Sequence, residues 1–249
     1  MRKCFCVLAV ALALCCQSAF ADVIVNLSEG GHASTSTTID YTYKKESKST
    51  SASAFKATSD TSGYPENSLF CGDLNTGWGD DFKDETGINF KTLSVTERYG
   101  DTVGGYLQTL YNHAYDSILN QNGRYNITNV AAFQMAVWEI ILDGDSGTLS
   151  RTKGDLSISS ANSNANKLAD DWLKNISNGT WTADNAEVLC ELTVYVPVME
   201  NGTLNPKLSQ TLIGVKSERD NTTTPEPATL AILGFGLLGA GIAAHRKRA

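Results

Sequence analysis

Between Ala131 and Leu142 the chain is almost entirely apolar, yet a glutamine is set into the run. Val130, Phe133, Val137 and Ile141 recur at helical spacings of three and four, as do Gln134, Trp138 and Leu142 beside them. The spacing predicts a helix whose buried stripe contains Gln134. A buried carboxamide without partners costs about 1–3 kcal/mol, so any fold this chain adopts must bring Gln134 one. Leu69-Phe70-Cys71-Gly72 supplies the candidate, Cys71.

Both ends of the chain read as processing signals. Arg2 and Lys3 precede a short apolar core from Phe5 to Cys16, and Ala19-Phe20-Ala21 is a small-x-small cleavage site, so residues 1–21 form an export signal. At the other end, residues 218–224 are a polar linker. Pro225-Glu226-Pro227 follows, then 17 uncharged residues from Ala228 to Ala244, then His245-Arg246-Lys247-Arg248. At 1.5 Å per residue the uncharged run reaches about 25 Å, the short limit for a membrane helix. The basic cluster would stay cytoplasmic and leave the domain outside.

This order of Pro-Glu-Pro, short apolar segment and basic cluster resembles the PEP-CTERM sorting signal of Gram-negative bacteria. The resemblance implies a membrane-embedded exosortase that recognises and removes the segment after transient inner-membrane anchoring. The product would lie on the cell surface or in the extracellular matrix. Such proteins are commonly linked to exopolysaccharide and biofilm material. A permanent single-pass anchor is the alternative.

Composition narrows the partners. The two terminal segments hold five of the 20 basic residues and one of the 27 acidic ones, so residues 22–224 carry a net charge near −11. That balance disfavours a nucleic-acid backbone. Cys4, Cys6, Cys15 and Cys16 leave with the export signal, and only Cys71 and Cys190 stay. Two cysteines in an exported chain invite a disulfide. Together with His32 and His113 they make no zinc pattern, and the acidic residues of 73–87 lack EF-hand spacing; neither a metal nor a cofactor is expected.

The chain between the signals reads as one mixed domain, 22–217. Strands are expected at Val23–Leu27, at Thr38–Tyr43 with Ile39, Tyr41 and Tyr43 on one face, at Ile88–Tyr99, at Val188–Val196 and at Thr211–Lys216. In Val188–Val196 the alternation puts Cys190 in the core, with Glu191 and Thr193 pointing away. The Ser/Thr-rich run Ser47–Ser53 is an edge strand or a loop, and 73–87 a long loop with Trp78 and Phe82 as tethers. Helices are expected at Val103–Leu119, from an N-cap at Thr128 through the glutamine stretch to Asp143, and at Ala161–Ile176; Gly147–Ser160 reads as turns. The fold class is therefore α+β: a β-rich sandwich or barrel-like domain with an inserted helical hairpin and a further helix.

Phe70-Cys71 and Phe133-Gln134-Met135-Ala136-Val137-Trp138 resemble the paired motifs of bacterial thioester domains, in which a cysteine sulfur is joined to a glutamine side-chain carbonyl with loss of ammonia. The resemblance implies a bond between Cys71 and Gln134, surrounded by Phe70, Phe133, Val137 and Trp138. Gly72 departs from the bulkier neighbour expected there. A thioester is an activated acyl group that an extracellular amine or hydroxyl, or an exopolysaccharide, would open to an amide or ester. That is a single covalent capture and not an enzyme's turnover. A Cys71–Cys190 disulfide in a noncovalent matrix or carbohydrate-binding module is the other reading. It accounts for both cysteines and leaves Gln134 unexplained. Neither a Ser/His/Asp arrangement nor paired carboxylates stand out, and His113 reads as a structural or surface residue.

Overall fold

The structure is a computed structural model that describes residues 23–215 apart from 33, 35, 60–67, 75, 78–86, 121 and 187–189. The export signal, Trp78, Phe82, the polar linker, the segment 228–244 and the residues of the sorting signal lie outside the described residues. Among the described residues no helix is long and apolar enough to cross a membrane.

Among the described residues nine strands form two antiparallel sheets, and the fold class is mixed α+β with a β-rich core. β1 (Ile24–His32), β4 (Phe55–Ser59), β5 (Phe70–Cys71), β6 (Ile88–Leu93), β8 (Leu192–Pro197) and β9 (Leu212–Val215) make a six-stranded sheet in the order β4-β1-β6-β8-β9-β5. Its two edges meet. Phe55 N–H donates to Leu69 O at 3.0 Å and Leu69 N–H to Phe55 O at 2.9 Å, so a single bridge bends the sheet into a near-barrel. β2 (Thr37–Tyr43), β3 (Glu46–Ala52) and β7 (Leu156–Ser160) form the second sheet, in the order β3-β2-β7.

Ile39 and Tyr41 turn inward from β2, while Asp40, Thr42, Ser47 and Ser49 form a polar outer face. The β2–β3 hairpin turns on Lys44 and Lys45, both at positive φ (48° and 73°). A two-residue hairpin loop needs this conformation, which Asn-Gly usually supplies. Lysines there hide the turn from a sequence reading. The Ser/Thr run resolves as β3. β7 emerges from a stretch that reads as turns.

Two expected boundaries move for local reasons. The β6 strand stops at Leu93 because Ser94 and Glu97 form a capping box that starts helix α1 (Val95–Tyr99). α2 (Asp101–Ala114) follows. For the glutamine helix, α3 (Ile127–Asp143), the cap is Asn126, whose side chain accepts from Asn129 N–H; Thr128 instead accepts a hydrogen bond from Asn162. α4 (Ser163–Ser177) buries Ala165, Ala169, Trp172, Leu173 and Ile176 on one face. β8 is buried on both faces, including Thr193, so strict inward–outward alternation fails there.

α3 is buried all round from Val130 to Ile140 because it lies between α2, α4 and both sheets. That burial includes Glu139, which has no exposed surface. One of its carboxyl oxygens accepts Ser150 N–H at 2.8 Å, and the other meets no partner among the described residues. Burial, opposed by the Ser150 bond and reinforced by Asp143, pushes its carboxyl up to about 8. The folded state therefore holds this proton more tightly than the unfolded chain. Stability from this group is complete below the unfolded value near 4.5 and is lost as pH rises through about 8. The substitution Glu139→Gln keeps the Ser150 bond and removes the ionisation. Its denaturation free energy relative to the parent is expected to grow by about 1–3 kcal/mol between pH 5 and pH 9. A difference flat across that range would contradict this origin.

Candidate functional site

Cys71 ends a two-residue strand that four tyrosine hydroxyls brace. Tyr115 donates to Ser68 O and Tyr99 to Gly72 O, each at 3.2 Å, while Tyr125 bonds the Ser68 hydroxyl. Tyr111 donates to Ile213 O at 3.2 Å on the neighbouring strand β9. Phe70 packs on Phe133 at 4.7 Å between ring centroids, with Tyr111 and Tyr115 edge-on at 6.5 Å. These contacts dock β5 against α2 and α3.

Gly72 is small for a reason visible here. A Cβ at this position would stand 2.6 Å from the Tyr99 hydroxyl and 3.2 Å from Ile213, so a bulkier residue would displace the brace.

The glutamine helix does reach Cys71, and it reaches the main chain. Cys71 N–H donates to Gln134 Oε1 at 2.9 Å, and Gln134 Nε2 donates to Cys71 O at 2.8 Å. The side-chain amide occupies the open edge of β5 as another strand would. Both residues are buried, so each of the four groups satisfies another. Phe133 packs beside this pair. Val137 and Trp138 follow one turn along α3, and both are buried.

The sulfur faces elsewhere. Cys71 Sγ lies 2.5 Å from Oε1 of Gln210, a residue that sequence reasoning did not single out. Register explains the encounter. Cys71 pairs with Leu212 across β5 and β9, and residues two apart on a strand share a face, so Gln210 extends from the same face as Cys71. The signal was present in Gln210-Thr211-Leu212-Ile213, but it needed knowledge of a strand pairing with a partner 139 residues away in sequence.

Burial, with Asp73 adding to it, holds the Cys71 thiol well above the usual range. Cys71 is therefore a neutral thiol at ordinary pH, and any attack by its sulfur must move a proton at the same time.

The disulfide alternative does not match the structure, in which no bond joins Cys71 to Cys190. Cys190 is half-buried and precedes β8 instead of lying within it, and its main chain is held by Asn112 and Gln108. His113 bonds Thr182 O and Asn185 Oδ1, each at 3.0 Å, and stacks on Trp181 at 4.7 Å, which gives it a structural task. Among the described residues no cluster of three His, Cys, Asp or Glu could hold a metal ion.

Residues 223–247 match the model of the PEP-CTERM protein-sorting motif. The motif indicates export and surface association and implies processing by an exosortase-type enzyme. No curated protein matches the sequence. Among solved structures, the chain is similar to the N-terminal thioester domain of fibronectin-binding protein SfbI from Streptococcus pyogenes. The identity is 14% and the TM-score 0.43, over 72% of this chain and 93% of that one. It is also similar to the N-terminal domain of the Streptococcus pyogenes pilus tip adhesin Cpa, at 14% identity and a TM-score of 0.40, over 76% and 97% of the two chains. A thioester domain of a surface protein from Clostridium perfringens gives 16% identity and a TM-score of 0.33, over 72% and 98%.

Removing the Gln134 side chain strands the Cys71 N–H and C=O in an apolar setting. Gln134→Ala is expected to destabilise the fold by about 2–4 kcal/mol in chemical denaturation. Amide exchange at Cys71 should accelerate more than at neighbouring residues of β9. Unchanged exchange at Cys71 would mean that the amide pair does not hold this edge.

Proposed function

We propose that this chain is an exported surface adhesin whose Cys71 sulfur forms an internal thioester with the side chain of Gln210, for covalent capture of a nucleophile on a partner. The observation that carries the reading is the contact of Cys71 Sγ with the Gln210 carboxamide. Gln134, the residue that the motif resemblance implies for the bond, makes its contacts with the Cys71 main chain. Its carbonyl oxygen accepts the Cys71 N–H and its nitrogen binds the Cys71 carbonyl, so it acts here as the holder of the nucleophile.

The chemistry balances simply. The thiol sulfur attacks the Gln210 side-chain carbonyl carbon, the thiol proton passes to the amide nitrogen, and the C–N bond breaks to release ammonia. An amide is a poor electrophile, so the reaction depends on the two groups being held in contact. The main-chain clamp from Gln134 and the tyrosine brace fix Cys71, and Gln210 stands two residues before Leu212, the strand partner of Cys71. Phe70, Phe133, Val137 and Trp138 keep water from the product. A partner amine or hydroxyl then displaces the sulfur, giving an amide or ester and restoring the thiol. Proteins and exopolysaccharides both offer such groups.

At the C-terminus, Pro225, Glu226 and Pro227 with Arg246, Lys247 and Arg248 are read as the marks by which the exosortase recognises the chain while it is transiently held in the inner membrane. The mature domain is then delivered to the surface or matrix.

Intact-mass measurement of the purified mature domain tests the bond. A deficit of about 17 Da is expected in the parent and in no variant lacking Cys71 or Gln210. Gln134→Glu, which keeps the oxygen facing Cys71 N–H, should retain a deficit, and more slowly formed. A deficit that persists in Gln210→Ala and vanishes in Gln134→Glu would return the assignment to Gln134. Reversible ligand binding, undisturbed by Cys71→Ala and with no mass deficit, would favour a noncovalent module.

A further inference from the structure

The sulfur has a charged neighbour that the bond-forming chemistry leaves unused. Asp73 follows Cys71 by two residues and is half-buried. Its orientation is set locally: Oδ1 accepts Thr76 N–H at 3.2 Å and Oδ2 accepts the Thr76 hydroxyl at 2.6 Å. Tyr99, which bonds Gly72 O between the two residues, carries the Arg98 guanidinium 5.3 Å from its ring centroid. Cys71, Asp73, Tyr99 and Arg98 thus form one neighbourhood. Burial comes first in raising both the Cys71 thiol and the Tyr99 phenol. Asp73 raises each further, whereas Arg98 acts in the opposite sense on Tyr99.

We infer that Asp73 is the specificity-determining residue of the capture step, drawing in a cationic primary amine and taking its first proton. The inference rests on the thioester reading above. Gly72 N–H donates to Thr211 O at 2.8 Å, which continues the Cys71–Leu212 register and brings Asp73 opposite Gln210. A carboxylate at that place favours a positively charged reactant over a neutral one. An ammonium must lose a proton before it can attack, whereas a neutral nucleophile arrives ready. In the step, Asp73 accepts one proton from the ammonium. The freed amine attacks the Gln210 acyl carbon, the C–N bond forms and the C–S bond breaks. The proton lost from nitrogen in the addition goes to sulfur, which ends as the thiol, and the proton on Asp73 returns to water.

The test compares two small probes on the mature domain by the loss of the mass deficit over time. Cadaverine is cationic at neutral pH, and hydroxylamine is mostly uncharged. Asp73→Asn is expected to slow capture of cadaverine about tenfold and to change hydroxylamine by less than about twofold, with Asp73→Glu restoring much of the cadaverine rate. Equal slowing of both probes, or of neither, overturns the role of Asp73 and leaves the thioester standing. If Asp73→Asn forms no bond, the unmodified domain decides. Raising salt from 0.02 to about 0.5 M should slow cadaverine and spare hydroxylamine, because screening at about 0.1 M already acts within about 10 Å. A salt response shared by both probes overturns the inference. Absence of the 17 Da deficit (about the mass of ammonia) from the unmodified domain rejects the thioester itself, a separate failure.

Discussion

A strand of two residues has too few ladder bonds to hold its place. β5 gains one edge from β9, and at Leu69 the other side of the segment meets Phe55, which closes the sheet. At Cys71 that other side would face hydrocarbon with an N–H and a C=O unpaired. The carboxamide of Gln134 is the group that makes burial of this edge tolerable, since its acceptor and donor match the two needs of one residue. The position of the sulfur follows from it.

Fixing the edge this way requires that α3 itself be immovable. A helix covered on every side meets that requirement, and the surroundings are cross-tied. Arg151 grips Asp170 of α4 through two nitrogens at 3.1 and 3.0 Å and donates to Ile158 O of β7, so the connection after α3 ties the second sheet to α4. Asp143 at the end of α3 accepts the N–H groups of Asp155 and Leu156. The second sheet, the connection and two helices form one frame behind the clamp, and the near-barrel stands in front of it.

Much of this frame was legible in the sequence and some was not. Periodicity identified α2, α3 and α4 because each is long enough to repeat its pattern. It also showed that Gln134 needs a partner, and the motif resemblance pointed to the Cys71 segment. Which atoms meet lay beyond it. A cysteine offers a sulfur and a peptide group, and only the register of β5 on β9 turns the first towards Gln210 and leaves the second for Gln134. Short strands escaped for similar reasons. β4 and β7 span five residues each, and the Lys44-Lys45 turn lacks the glycine or asparagine that would mark a hairpin. Cys190 misled because the alternation in the sequence runs on ahead of β8, whose first residue is Leu192, and Cys190 lies half-buried before it.

The encounter of Cys71 with Gln210 spans 139 positions of chain, including helices α1 to α4 and strands β6 and β8 of the near-barrel. In the proposed capture the partner ends on Gln210 while Cys71 returns to a thiol, so the link between the two residues is gone once a partner is held. Tension between that partner and a C-terminus held at the surface would then run from Gln210 into the chain that follows it. The helices lie outside that path and would stay folded under forces that unravel a chain loaded through them.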